Sequence, residues 1–157
     1  MQNWHYKGRR MLRRVLPYFL PLALVLTPTV ASAENQALTQ YQNLLTPLIA
    51  GGVDVLGNPL TYPDGPVNVT AAIVTIPPGG TTGAHRHEVP LFAHILEGEL
   101  TVDYGDKGKK TYKAGDSVLE AINLPHTGTN TGTVPMKLLA VYMGGGTKAN
   151  TVPVAAQ

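Results

Sequence analysis

The sequence predicts an all-β domain, a single barrel or sandwich, with one short helix before it. Three observations lead there. From Val67 onward, strand-length apolar runs rich in β-branched and aromatic residues are separated by Gly, Pro and Asp clusters. Helical spacing occurs only before Gly51-Gly52. No repeat, low-complexity tract or linker interrupts the series, so one domain accounts for it.

The first 33 residues read as a secretory signal rather than as part of the fold. Residues 1–14 carry Lys7, Arg9, Arg10, Arg13 and Arg14 and no acid, residues 15–26 (VLPYFLPLALVL) are almost wholly apolar, and Ala31-Ser32-Ala33 offers small residues for cleavage. The apolar run is shorter than the roughly 20 residues a spanning helix needs, so an uncleaved anchor is the weaker reading. Gly8-Arg9-Arg10-Met11-Leu12-Arg13 is a loose match to a twin-arginine signal and leaves the export route open. Cleavage near Ala33 predicts a periplasmic or secreted protein with no stable membrane association.

Removing the leader changes the electrostatics. Residues 34–157 keep all 10 acids but only 7 of the 12 Lys and Arg, so the net charge becomes −3 with neutral histidines, against +2 for the whole chain. The basic character belongs to the leader, and nucleic-acid binding has no support. The chain has no cysteine, which excludes disulfides, thiol nucleophiles, zinc–thiolate sites and a lipoprotein anchor.

Residues 34–65 are expected to hold the helix and a lead-in strand. Leu38, Tyr41, Leu45 and Leu48 sit at helical spacing, and Gly51-Gly52 should end the helix. The barrel is expected over 66–143. Val67–Ile76 is β-branched and stops at Pro77-Pro78-Gly79-Gly80. Leu91–Leu96 stops at Glu97-Gly98-Glu99. Leu100–Tyr104 is followed by the turn Gly105-Asp106-Lys107-Gly108. Lys110–Tyr112, Ser117–Ile122 and Met136–Met143 complete the series. Residues 144–157, small, polar and Pro-containing, read as a flexible tail.

The chemistry concentrates in histidines. In a strand, positions 85 and 87 point to one face, so His85 and His87 can reach one ion while Arg86 points away. His126 lies some forty residues later, beyond the strand that starts at Ser117. His94 falls at odd offset from His85 and His87 and reads as a packed or interface histidine. A lone His-x-His is ordinary on a solvated edge; the third imidazole is what raises metal binding above that reading.

At these residues the chain resembles the cupin superfamily. The first motif of that family is a Gly, five residues, His-x-His, a Glu and a closing Gly; here Gly79, His85-Arg86-His87 and Gly98 take those places. In the second motif Gly115 opens, and His126 and Asn130 close at the family spacing. Leu96-Glu97-Gly98-Glu99-Leu100 is also similar. The resemblance implies a single double-stranded β-helix, or jelly-roll, barrel holding one divalent transition metal ion (Fe, Mn, Ni, Co, Cu or Zn) on His85, His87 and His126. It further implies a small-molecule pocket and a homodimer formed through exposed strands.

The chain departs from the pattern where Leu91 replaces the usual metal-binding Glu, and where Ala121 and Asn123 replace the Pro and Gly of motif two. Three neutral imidazoles leave a divalent ion its full charge, which favours an anionic ligand or a carboxylate recruited from elsewhere. Glu120 and Glu88 are the candidate pocket acids, although Glu88 would face the wrong way on a strict strand. Asn130 should fix backbone near the site and Asp116 should accept a turn hydrogen bond.

Three functions follow in order: a metal-dependent enzyme on a small organic substrate, a non-catalytic binder of a small ligand or metal, and last a structural storage role. Fold alone does not choose between them. Because only neutral imidazole binds metal, affinity should fall below about pH 6.5, the free histidine value.

Overall fold

The computed structural model describes residues 38–155. The leader expected at 1–33 lies outside the described residues, as does residue 34–37 of the expected helix. The chain divides into two units, residues 1–45 and residues 46–157. Described residues of the first unit form one helical stretch over 38–42 that ends in a turn. The helix thus stops well short of Gly51-Gly52. Pro47 lacks an amide donor and disfavours the α conformation at Thr46, so the spacing of Leu45 and Leu48 cannot be used. Leu38, Tyr41, Leu45 and Leu48 are all exposed.

The second unit is all-β. Among the described residues nine strands run in order: β1 (Val67–Ile76), β2 (His85–Arg86), β3 (Leu91–Glu97), β4 (Glu99–Asp103), β5 (Lys109–Lys113), β6 (Ser117–Leu119), β7 (Thr127–Thr129), β8 (Met136–Gly145) and β9 (Val152–Pro153). They form a four-stranded sheet of order β1-β8-β3-β6, a three-stranded sheet β5-β4-β7 and a pair β2-β9, all antiparallel. β1 pairs along its whole length with β8, from Val67 opposite Gly145 to Ile76 opposite Met136.

The core lies between the sheets and follows the period of two. On β3, Leu91, Ala93 and Ile95 are buried while Phe92 and His94 alternate outward; on β4, Leu100 and Val102 are buried; on β8, Met136, Leu138 and Ala140 are buried. Tyr104 continues the inward row of β4 and is 1% exposed, one of the largest fully buried side chains. His94 is half-buried on the outer row and meets the Ser117 hydroxyl through Nδ1 at 2.9 Å, as a packed histidine should.

Gly98 makes the turn from β3 to β4 at φ +75°. A Cβ there would stand 2.9 Å from Met136 Cα and 3.0 Å from the Pro135 carbonyl oxygen. Asp116 accepts the Lys113 amide at 2.8 Å, the turn role expected of it.

One expectation is corrected outright. Residues 144–155 are not a free tail. β8 continues to Gly145, and the chain then turns back so that β9 pairs with β2, Pro153 opposite His85 and Val152 opposite Arg86.

Candidate metal centre

β2 carries His85, the residue just after it is His87, and His126 precedes β7; the backbone joins these segments directly. The His85 amide donates to the His126 carbonyl at 3.0 Å, and the His126 amide donates to the His85 carbonyl at 2.8 Å. The two motifs therefore meet as one hydrogen-bonded antiparallel pair, 41 positions apart in sequence. His87 is anchored by the Asn123 amide, which donates to its carbonyl at 2.7 Å. Asn123 reaches that carbonyl from φ +57°, in the left-handed region that the glycine of the resembled motif occupies freely.

The imidazoles converge. Ring centroids lie 4.5 Å apart for His85–His126, 4.9 Å for His85–His87 and 5.1 Å for His87–His126. One donor atom from each falls within 4.8 Å of the others, and no further His, Asp or Glu joins this group among the described residues. His87 and His126 are buried and His85 half-buried.

Each ring is held through the same nitrogen. Nδ1 of His85 donates to the Gly83 carbonyl at 2.9 Å, Nδ1 of His87 to the Asn150 carbonyl at 2.8 Å, and Nδ1 of His126 to the Leu124 carbonyl at 2.9 Å. A carbonyl oxygen only accepts, so each Nδ1 carries the proton and each neutral ring keeps its lone pair on Nε2. The partner on the far nitrogen that metal-ligating histidines require is thus already in place. Three neutral nitrogen donors of fixed tautomer fit a divalent transition ion.

Burial works in the same direction. It pushes the His87 imidazole down to about 4, with the neighbouring His126 and His85 adding to the effect and the Asn150 carbonyl partly opposing it. His85 is also lowered, first by burial and then by His126, against the Gly83 carbonyl and the charge of Glu120.

The three rings line an apolar cavity of about 70 Å³ that also touches Leu91, Leu100, Val118, Leu138, Tyr142 and Glu120. This is well below the ~300 Å³ of an ordinary ligand pocket and limits any occupant to a few heavy atoms. Leu91, where the resembled motif has a carboxylate, contributes apolar wall only.

The two candidate acids separate. Glu120 is 6% exposed and accepts from the Tyr104 hydroxyl and from the Ala121 amide, both at 2.7 Å. β6 ends at Leu119, earlier than the Ile122 expected from sequence, and this irregular stretch leaves Glu120 among the cavity-lining residues. Its carboxylate stands beside the histidine cluster without joining it. Glu88 is corrected: it does not line the cavity. It pairs with Arg86 at 2.8 Å and accepts the Ala149 amide at 3.1 Å on the opposite face, as period-two geometry requires.

Three supporting residues emerge only from the fold. Tyr104 stays a protonated donor, because burial, the Glu120 charge and Tyr112 all push its phenol up. Its signal was the inward row Leu100, Val102, Tyr104. Asp54, 4% exposed, accepts amides from Leu56 and Asn58 and reaches the Ile122 amide at 3.4 Å, tying the 53–59 loop to motif two. Burial alone would raise its carboxyl, but the Asn58 and backbone donors outweigh it and hold the group low. Asn150 acts through its carbonyl, which no sequence pattern announces. Asn130, as expected, fixes backbone, donating to the carbonyls of Ile76 and Val134 at 2.8 Å each.

An antiparallel β-barrel with a histidine cluster against its inner cavity defines a class of metal-site barrels. The family model for the cupin domain matches residues 72–142, and the fold of that segment supports the cupin superfamily. No curated protein matches the chain. Among solved structures, it is similar to a conserved protein with a double-stranded β-helix domain from Klebsiella pneumoniae, at 17% identity over 73% of this chain and 94% of that one, TM-score 0.49. It is similar to oxalate decarboxylase from Lactobacillus farciminis in complex with formate, at 24% identity over 55% of this chain and 26% of that one, TM-score 0.48. A predicted oxalate decarboxylase from Thermotoga maritima shares 31% identity over 46% of this chain and 64% of that one, TM-score 0.42. The chain spans about a quarter of the length of the first decarboxylase. Likeness this distant carries no substrate.

Proposed function

We propose that this chain is an exported cupin that holds one divalent transition metal on His85, His87 and His126 and acts as an enzyme on a small organic anion. The observation that carries the reading is the pairing of three tautomer-fixed imidazoles with a buried carboxylate, Glu120, on one 70 Å³ cavity. Bound there, a divalent ion supplies Lewis acidity and neutralises charge on a ligand oxygen. The chain's own residues do the rest. The apolar wall excludes water, and the size of the cavity selects a ligand of few atoms. Glu120 can take or return a proton beside the ligand, and the Tyr104 hydroxyl holds its Oε1 in place. Three neutral ligands leave the ion's charge uncompensated, which supports an anionic ligand.

Metal analysis of untagged protein tests the first part. Wild type is expected to carry close to one equivalent, and His85→Ala to lose affinity by at least ~100-fold, since even outer partners of ligands are worth 10–100-fold. Equal, negligible metal in both would end the reading. A panel of small carboxylates and hydroxy acids tests the second part. Glu120→Gln should keep its metal but lose turnover by ~10²–10⁴, the usual worth of a positioned acid–base group. Tight ligand binding by wild type without any product would replace the enzyme with a non-catalytic binding protein.

Export is part of the same proposal, supported by the order of charge, apolar run and small residues over 1–33. The mass of protein recovered from the producing cell's envelope or medium should correspond to a chain beginning at Glu34. Full-length protein found only in the cytoplasm would contradict it.

A further inference from the structure

We infer that the strap formed by residues 147–154 is a working part of the metal centre, fixing His87 for coordination through the carbonyl of Asn150. The inference rests on the three-histidine reading above and names a positioning element for it.

Two of the ligands are oriented locally. His85 and His126 each donate Nδ1 to the carbonyl two residues before them, Gly83 and Leu124. His87 has no such local acceptor. Its Nδ1 reaches the Asn150 carbonyl 63 positions away, with the Thr151 hydroxyl at 3.4 Å beside it. His87 is also the most buried of the three, 3% exposed, so the orientation of its ring depends on what packs over it.

The strap reaches that position by a latched path. β9 pairs with β2, and the Val154 amide donates to the Ala84 carbonyl at 3.1 Å. The Ala149 amide donates to Glu88, whose other oxygen holds Arg86. The Asn150 side chain donates to the Thr70 hydroxyl at 3.0 Å. Glu88, which sequence offered as a pocket acid, is therefore a latch for the strap. Gly146 permits the route: it sits at φ +56°, and a Cβ there would lie 2.6 Å from the Asp64 carbonyl.

Without the Asn150 acceptor, the His87 proton is free to occupy either ring nitrogen, and Nε2 is no longer reserved as the donor. Loss of such a partner costs 10–100-fold in metal affinity. Coupling is reciprocal, so metal on His87 must hold the strap down by the same factor. Lys148 is an exposed tryptic site within the strap and reports its release.

The test uses the full chain, a chain ending at Gly146, and the double variant Glu88→Ala/Thr70→Val, which loosens the latch but keeps all three ligands. Cobalt(II) is the probe. The shortened chain is expected to bind cobalt(II) 10–100-fold more weakly at unchanged near-UV circular dichroism, and the double variant to fall between. In metal-free protein, ¹H–¹⁵N spectra should show His87 with its proton on Nδ1 in the full chain and distributed over both nitrogens in the shortened one. Cobalt(II) should slow tryptic cleavage after Lys148 in the full chain. Wild-type affinity together with an unchanged His87 tautomer in both variants overturns the proposal. If the full chain takes up no cobalt(II), the three-histidine reading fails, and the metal-free tautomer still decides the role of the strap. If the shortened chain does not fold, the double variant decides it.

Discussion

Gly98→Ala is expected to destabilise the protein by about 2–5 kcal/mol, a large share of the 5–15 kcal/mol a domain of this size possesses. The left-handed backbone at φ +75° costs an L-residue about 1–2 kcal/mol. The new methyl would also lie 2.9 Å from Met136 Cα and 3.0 Å from the Pro135 carbonyl, and forcing it in adds about 1–3 kcal/mol. Neither neighbour is a movable side-chain end. Both belong to the backbone at the start of β8, which pairs with β1 and β3. Gly105→Ala is the control: it sits at φ +62° with nothing within 4 Å of the added carbon, so it carries the strain without the collision. Urea denaturation should place the midpoint of Gly98→Ala clearly below that of Gly105→Ala. Coincident midpoints would show that the close approach to β8 is not felt.

Metal-free protein is expected to lose about 3 kcal/mol of stability between pH 6.5 and pH 4 through His87 alone. Folded His87 is held down to about 4, whereas in the unfolded chain it takes the free value of 6.5. Above 6.5 both states carry a neutral ring and the residue is silent. As pH falls through 6.5 the unfolded chain gains a proton that the folded one refuses, so unfolding becomes progressively easier, and the loss levels off only below about pH 4, once the folded ring is protonated too. Denaturation midpoints of chelator-treated wild type and His87→Leu, followed from pH 7.5 to pH 4, isolate the effect: wild type should decline more steeply. Parallel curves would mean that His87 is not held neutral by burial. The same lowering revises the sequence-based expectation for metal uptake. Because His85 and His87 stay neutral below the free histidine value, affinity should persist to lower pH than 6.5 before it falls.

Much of this was legible from residue types because the fold rests on local rules. Strand β1 was readable to the residue, since Val67–Ile76 is β-branched and ends at two prolines. The spacing of Gly79, His85, His87 and Gly98, and of Gly115, His126 and Asn130, matched to the motifs of the resembled family, brought together on paper the three histidines that the fold does group. What escaped was held by partners distant in sequence or by the main chain. Leu38, Tyr41, Leu45 and Leu48 have helical spacing, yet Pro47 breaks the run. The C-terminal strap shows no periodicity, because its attachment to His87 and Glu88 uses an amide and a carbonyl that every residue possesses. Glu120 and Glu88 looked alike as letters; only the end of β6 at Leu119 and the alternation past β2 sent one inward and the other out.

The use of main-chain carbonyls behind all three rings has an evolutionary consequence. A substitution at Gly83, Leu124 or Asn150 can change the side chain but leaves the oxygen, so no single codon change deletes an acceptor. The cavity wall, by contrast, is made of side chains such as Leu91, Val118 and Tyr142 that can be exchanged one at a time. Descendants of this barrel can therefore redraw the shape and polarity of their chamber while inheriting the imidazole geometry intact, trying new ligands without first rebuilding the centre that would act on them.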